Sequence, residues 1–250
     1  MEARDKVTSE SLGEILVVRI ENPPVNALSE PVLTGLEQHF QEANSNDVKA
    51  VVLAGYRCFS GGADLTFLAE HDTEENMRYF DALYRVLQIV DNCPRPVIAV
   101  ISEFALGAGF ELSLCADIRV MEGTARVGAT GVNLGLVFCT QRLPRLIGFS
   151  RAREILMTGR HIDTKEAERI GLVHYTCPDG HGMQEALKLA DLICKKSTEA
   201  EARVKHVMTK SMDLAFKDGL RLEQTQLNAA LASKDFKERL EGFFAQRKTR

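Results

Sequence analysis

Gly107-Ala108-Gly109-Phe110-Glu111 is the stretch on which the reading of this chain turns. It follows the apolar run Pro96-Val97-Ile98-Ala99-Val100-Ile101 and opens a segment, Leu112 to Ala116, with the composition of a buried helix. The order is strand, tight glycine turn, helix, with a carboxylate in the first helical turn. Unbonded N–H groups at a helix start favour negative charge. A carboxylate beside them can move protons while the N–H groups hold a developing oxyanion, which suits chemistry at a carbonyl. The helix dipole favours an acidic residue there in any case, so Glu111 alone does not define a site.

A second glycine turn lies upstream, at Cys58-Phe59-Ser60-Gly61-Gly62-Ala63-Asp64-Leu65, after an apolar run ending at Leu53. Glycines let the backbone turn sharply and let a ligand approach closely, and Asp64 is placed to cap the next segment of chain. Alone this is an ordinary loop composition. Taken together, each turn follows a buried strand and offers N–H groups beyond its C-terminal end, where α/β folds bind ligands. Two such donors can clamp one thioester oxygen as it becomes an enolate.

The rest of the composition narrows the field. The chain has 250 residues, 45% hydrophobic and 26% charged, enough apolar material for one large domain with an appendage. Net charge is −4 with no basic block, which argues against nucleic acid as a partner. Residues 1–13 are polar and lack a signal-peptide core. The apolar runs are of strand length, far short of the ~20 residues of a membrane span. Six cysteines form no C-x-x-C pair, so no metal site is expected and the thiols suit a reducing cytoplasm.

Buried strands are expected at Ile15–Ile20, Lys49–Leu53, Val97–Ile101, Ile118–Met121 and Val173–Tyr175. Helices are expected at Pro31–Ala43 and Glu74–Val90, the latter with Met77, Phe80, Tyr84, Leu87 and Val90 at helical spacing. Alternation of the two element types predicts α/β with mostly parallel pairing. Beyond about residue 180 the spacing predicts four helices: Met183–Lys196, Glu199–Phe216, Gly219–Ala232 and Asp235–Lys248.

Residues 59–65 and Ala105-Leu106-Gly107-Ala108-Gly109-Phe110-Glu111-Leu112 resemble the two signature turns of the crotonase superfamily, the enoyl-CoA hydratases and isomerases. The likeness extends to Asn22-Pro23-Pro24-Val25-Asn26-Ala27-Leu28, Thr140-Gln141-Arg142-Leu143-Pro144-Arg145-Leu146-Ile147-Gly148, Thr158-Gly159-Arg160 and residues 235–239. The resemblance implies a spiral of ββα units over residues 1–185 holding a CoA-thioester site, and a helical trimerisation region over 186–250. It implies an acyl-CoA substrate, no cofactor beyond that coenzyme A, no metal, and a homotrimer or a hexamer of two trimers. Carried over by position, the oxyanion donors are the N–H groups of Gly61 and Ala108, and Glu111 is the general acid/base. The CoA arm lies along Val25 to Ala27 and Ala63, Asp64 and Leu65. Gln246 stands where relatives often have a lysine reaching a neighbour's CoA phosphate.

The chain departs from the family pattern in one place that bears on chemistry. The second glutamate of the hydratases falls on Gly131, and the loop before Thr140 is about three residues short. Hydration divides its proton work between two carboxylates, each commonly contributing about 10²–10⁴ in rate. A site with Glu111 alone also fits double-bond isomerisation or decarboxylation, and a non-catalytic CoA-binding paralogue accounts for the loss directly, although retention of Glu111 speaks against it. A dinucleotide-binding reading fails at the third glycine, where Leu112 stands. No G-x-S-x-G or H-E-x-x-H motif occurs.

Overall fold

The computed structural model describes residues 6–45 and 47–248, without the side chains of Gln246 and Lys248. The sequence position matched to a CoA-phosphate contact, Gln246, therefore lies outside the described residues in its side chain. Strand β1 (Val7–Leu12) turns back into β2 (Ile15–Ile20); β3 (Ala27–Leu28) precedes helix α1 (Glu30–Glu42), followed by β4 (Ala50–Gly55) and β5 (Gly62–Ala63). Helices α2 (Leu65–Glu70) and α3 (Thr73–Asp91) lead to β6 (Val97–Ile101) and β7 (Phe104–Leu106), then α4 (Ala108–Leu114), β8 (Ile118–Glu122) and β9 (Arg126–Gly128). A 3₁₀ turn (Thr130–Leu134) precedes α5 (Arg142–Ile147), α6 (Phe149–Thr158), β10 (Ile162–Asp163), α7 (Thr164–Arg169), β11 (Tyr175–Cys177) and α8 (Gly182–Cys194). Helices α9 (Thr198–Ser211), α10 (Phe216–Leu231) and α11 (Lys234–Lys248) complete the order.

The main sheet has the order β1-β2-β4-β6-β8-β11, parallel throughout except for the β1–β2 hairpin. Strands covered on both faces read as continuous apolar runs, and β4 and β6 are buried almost end to end. The strand that follows each of β4, β6 and β8 peels away into a smaller sheet, β5 beside β3, and β7 beside β9, which pairs on its other edge with β10. This two-strands-then-helix repeat is the crotonase-type α/β spiral. Its effect is to carry the chain, after each main strand, onto one shared ledge.

The helices form for local reasons. Asp72 and Glu75 make a reciprocal capping box at the start of α3, after which Tyr79, Leu83, Val86, Leu87 and Val90 face the core. Pro31 starts α1, where its missing N–H costs nothing, and Val32, Leu33, Leu36 and Phe40 are buried.

Several expected elements shift. Strand β1 carries polar residues and buries only Val7, so no apolar run marks it; main-chain pairing to β2 along a sheet edge makes it a strand. The last strand is Tyr175–Cys177 and not Val173–Tyr175, because Leu172 and Val173 are buried as the chain leaves α7, with both N–H groups bonded to the Ala167 carbonyl. Helix α4 begins at Ala108 and is buried over its whole length, and Cys115 and Ala116 lie beyond its end. Phe216 opens α10 and does not close α9; Gly219 lies inside α10, where a Cβ would sit 3.3 Å from the Ser211 hydroxyl.

The chain forms two compact units, 1–193 and 194–250, whereas 185/186 falls inside α8. In the second unit Ser197 caps α9 and hydrogen-bonds Asp235, which pairs with Arg239 at 2.9 Å. Among the described residues no helix is long and apolar enough to cross a membrane, and no group of three His, Cys, Asp or Glu side chains is placed to hold a metal ion.

Candidate active site

The two glycine turns meet. The Ser60 N–H donates to the Phe104 carbonyl at 3.2 Å and the Leu106 N–H to the Ser60 carbonyl at 3.0 Å. Gly62 has φ +106°, and a Cβ there would lie 2.7 Å from the Leu106 carbonyl oxygen and 3.3 Å from the Ala108 nitrogen. Gly109 packs on the first turn so closely that a Cβ would sit 2.6–2.7 Å from the Ser60 carbonyl and side chain. These contacts need bare backbone on both sides.

Side chains hold the first turn from behind. The buried Asn26 amide donates to the Cys58 carbonyl at 2.7 Å and the Tyr56 carbonyl at 3.1 Å, and the Ser60 hydroxyl donates to the Asn26 carbonyl at 2.7 Å. The Tyr79 phenol donates to the Leu28 carbonyl at 2.7 Å and accepts the Asp64 N–H at 3.0 Å; burial pushes its pKa up to about 12. Asp64 caps α2 by accepting from the N–H groups of Thr66 and Phe67. Ala27 and Leu28 pair with Gly62 and Ala63. Thus Val25, Ala27, Ala63, Asp64 and Leu65 come together at one edge, with Leu65 largely exposed.

The two N–H groups singled out from the sequence stand in different states. Ala108 is the first residue of α4, so its N–H has no intrahelical acceptor. The Gly61 N–H donates to the Val25 carbonyl at 2.7 Å, so a ligand oxygen must displace that carbonyl to use it.

Glu111 is 3% exposed, one turn into α4. Its Oε1 accepts from Arg142 Nη1 at 2.6 Å, and Arg142 Nη2 donates to Asp91 Oδ2 at 3.0 Å. Among the described residues nothing hydrogen-bonds the buried Oε2. Cys139, at φ +60°, is buried with its thiol toward the Gly107 carbonyl at 3.8 Å; burial and the negative charge of Glu111 hold the thiol well above its usual range. Burial, then Glu111, also push the Tyr84 phenol up. Asp91 was not singled out by the sequence reading, Tyr84 only as one of the apolar-spaced residues of the 74–90 helix, and Arg142 only inside a family motif; the spacing of 31 residues between Arg142 and Glu111 carries no local signal.

Gly131 sits in the 3₁₀ turn, close to the second glycine turn: a Cβ at Gly107 would lie 3.4 Å from the hydroxyl of the adjoining Thr130. A Cβ at Gly131 itself would meet the Leu136 carbonyl at 3.3 Å and Phe138 Cβ at 3.7 Å. Phe138 in turn contacts Tyr84 and Phe80, with ring centroids 5.4 and 6.3 Å apart. The short loop has folded into the space beside Gly131. Along the start of α3 the polar residues serve local structure: Asp72 and Glu75 form the capping box, Glu74 pairs with Arg78 at 2.8 Å, and His71 stacks on Phe67.

A parallel sheet whose departing strands present two glycine turns over one buried carboxylate defines a crotonase-fold protein. The family described as enoyl-CoA hydratase/isomerase matches residues 10–250. The chain is 31% identical over 251 residues to a short-chain-enoyl-CoA hydratase of Clostridium acetobutylicum, covering 98% of this chain and 96% of that one. It is 30% identical to a crotonyl-CoA hydratase of Syntrophomonas wolfei, covering 98% and 97%. A solved enoyl-CoA hydratase from Bacillus anthracis superposes with a TM-score of 0.92 at 29% identity, over 98% of this chain and 97% of that one. The chain belongs to the enoyl-CoA hydratase/isomerase family, and its function is enoyl-CoA hydratase-like.

Proposed function

We propose that this protein hydrates an enoyl-CoA thioester using one carboxylate. The observation that carries the reading is the buried, unbonded Oε2 of Glu111 one turn inside the free N–H groups of α4. The CoA arm lies along Val25, Ala27, Ala63, Asp64 and Leu65. The thioester oxygen faces the Ala108 N–H and takes the Gly61 N–H from the Val25 carbonyl. Oε2 accepts a proton from water as the water oxygen bonds the β-carbon. The displaced electron pair becomes an enolate held by the N–H groups, and the same proton then passes from Oε2 to the α-carbon. No proton is gained or lost overall.

The packing of Leu136 and Phe138 against Gly131 favours a second reading, isomerisation. There Oε2 takes a proton from the carbon flanking the double bond and returns it at the far end of the dienolate, without a water. Loss of carbon dioxide from a malonyl-type thioester would use the same enolate site. The buried thiols Cys58, Cys115, Cys139 and Cys177, which form no disulfide among the described residues, support a cytoplasmic setting. Exposed Met208, Met212, Phe216, Leu227, Phe243 and Phe244 support a homotrimer or hexamer, which light scattering would test.

The deciding experiment is mass spectrometry of products from crotonyl-CoA, a 3-enoyl-CoA and a malonyl-type CoA, for the native protein and Glu111→Gln. Gain of one water, lost in the variant, is expected. A shifted double bond or loss of carbon dioxide reassigns the reaction at the same site. CoA-ester binding without turnover points to a different acyl-CoA substrate or to a retired paralogue.

A further inference from the structure

We propose that Arg142, held by Asp91, is the positioning residue that ties Glu111 by Oε1 and leaves Oε2 as the single oxygen carrying protons. This rests on the reading of Glu111 as the proton carrier. Three helices converge on the arrangement: Asp91 ends α3, Glu111 lies in the first turn of α4, and Arg142 opens α5. A guanidinium that faces one carboxylate commonly takes both of its oxygens in a fork. Here the fork is split, Nη1 to Glu111 at 2.6 Å and Nη2 to Asp91 at 3.0 Å. Asp91 thereby turns Arg142 so that only one oxygen of Glu111 is bound.

The Cys139 thiol is also drawn to Glu111 as a side-chain donor, a weaker sulfur contact beside which Oε2 keeps no hydrogen-bond partner among the described residues. Tyr84 from α3, Cys115 from α4 and Cys139 from the short loop are the remaining titratable groups around Glu111, and burial holds all three in their neutral forms. Cys115 is turned away, donating to the Glu111 carbonyl at 3.3 Å. A carboxylate bound at one oxygen and bare at the other has its orientation fixed without blocking proton transfer. With the partner glutamate position taken by Gly131, both transfers fall to one group, so its aim matters at both carbons. A lysine cannot reproduce the split fork, since its ammonium is a single point of charge.

The test uses the full-length protein and the three CoA esters named above. Arg142→Lys and Arg142→Gln should lower kcat by about 10²-fold, the cost of a catalytic group displaced by roughly 1 Å. KM should stay within about threefold, and added guanidinium should restore part of the kcat of Arg142→Ala. Asp91→Asn, which leaves Glu111 and Arg142 in place, should lower kcat by about tenfold and guards against a folding defect in the arginine variants. Unchanged kcat in Asp91→Asn and Arg142→Lys, or a loss confined to KM with no rescue, overturns the proposal. Glu111→Gln separates the two readings: if it turns over like the native protein, or if the native protein acts on none of the three esters, the proton-carrier reading falls and this one with it.

Discussion

The turn at 58–65 is fastened by side chains, and the turn at 107–111 by their absence. Behind the first stand Asn26, Ser60, Tyr79 and Asp64, each satisfying main-chain groups that a sharp turn leaves unpaired. The second is held by main-chain bonds, the Gly107 N–H to the Gly128 carbonyl at 2.9 Å, and by Gly109 lying flat on Ser60. The difference shows in the donors. The side-chain-braced turn keeps its Gly61 N–H paired with Val25 until something replaces that carbonyl, while the Ala108 N–H, at the helix start, has no partner among the described residues. In the proposed mechanism one donor stands ready and the other is released by binding.

Substitutions that add a methyl to bare backbone should break this contrast most severely. Gly62→Ala places a methyl 3.3 Å from the Ala108 nitrogen at a φ that L residues rarely adopt. Turnover should fall by about 10²–10³-fold, as for loss of one oxyanion donor; near-native kcat would show that the Ala108 N–H takes no part. Gly109→Ala drives a Cβ into Ser60 and should cost about 1–3 kcal/mol of stability by overpacking, read as a lowered thermal midpoint. An unchanged midpoint would mean that the turns are not in contact. Asp64→Ala strips the cap from α2 and should cost about 0.5–2 kcal/mol, with weaker CoA-ester binding and little change in kcat.

The smallest effect concerns the thiols of the two regions. Burial and the charge of Glu103 push Cys58 up to about 11, and Cys139 stands well above the ordinary range. Both remain protonated at pH 8, because their raised pKa values keep the thiolate scarce until the pH approaches them. A disulfide reagent at pH 8 should label these two only on unfolding. Rapid labelling of Cys139 would place it at the open surface and loosen the wall around Glu111.

The parts legible in the sequence are those that depend on neighbours a few residues away. Val97–Ile101 is apolar throughout because both its faces are covered, and the strand has those bounds. The glycine turns could be read because a close approach forces residue type. By contrast, β3, β5 and β10 are two residues long and exist only through pairing, so no run of any period marks them. The split fork of Arg142 joins positions 31 and 51 residues away, and the Val25–Gly61 bond joins two loops. Both are set by how the spiral stacks, which residue order alone does not state.

Gly131 carries a consequence for anyone redesigning the pocket. A Cβ there would already press on the Leu136 carbonyl at 3.3 Å and touch Phe138 at 3.7 Å. Writing a glutamate back at this position is therefore not a one-letter repair: the graft must import loop length together with charge.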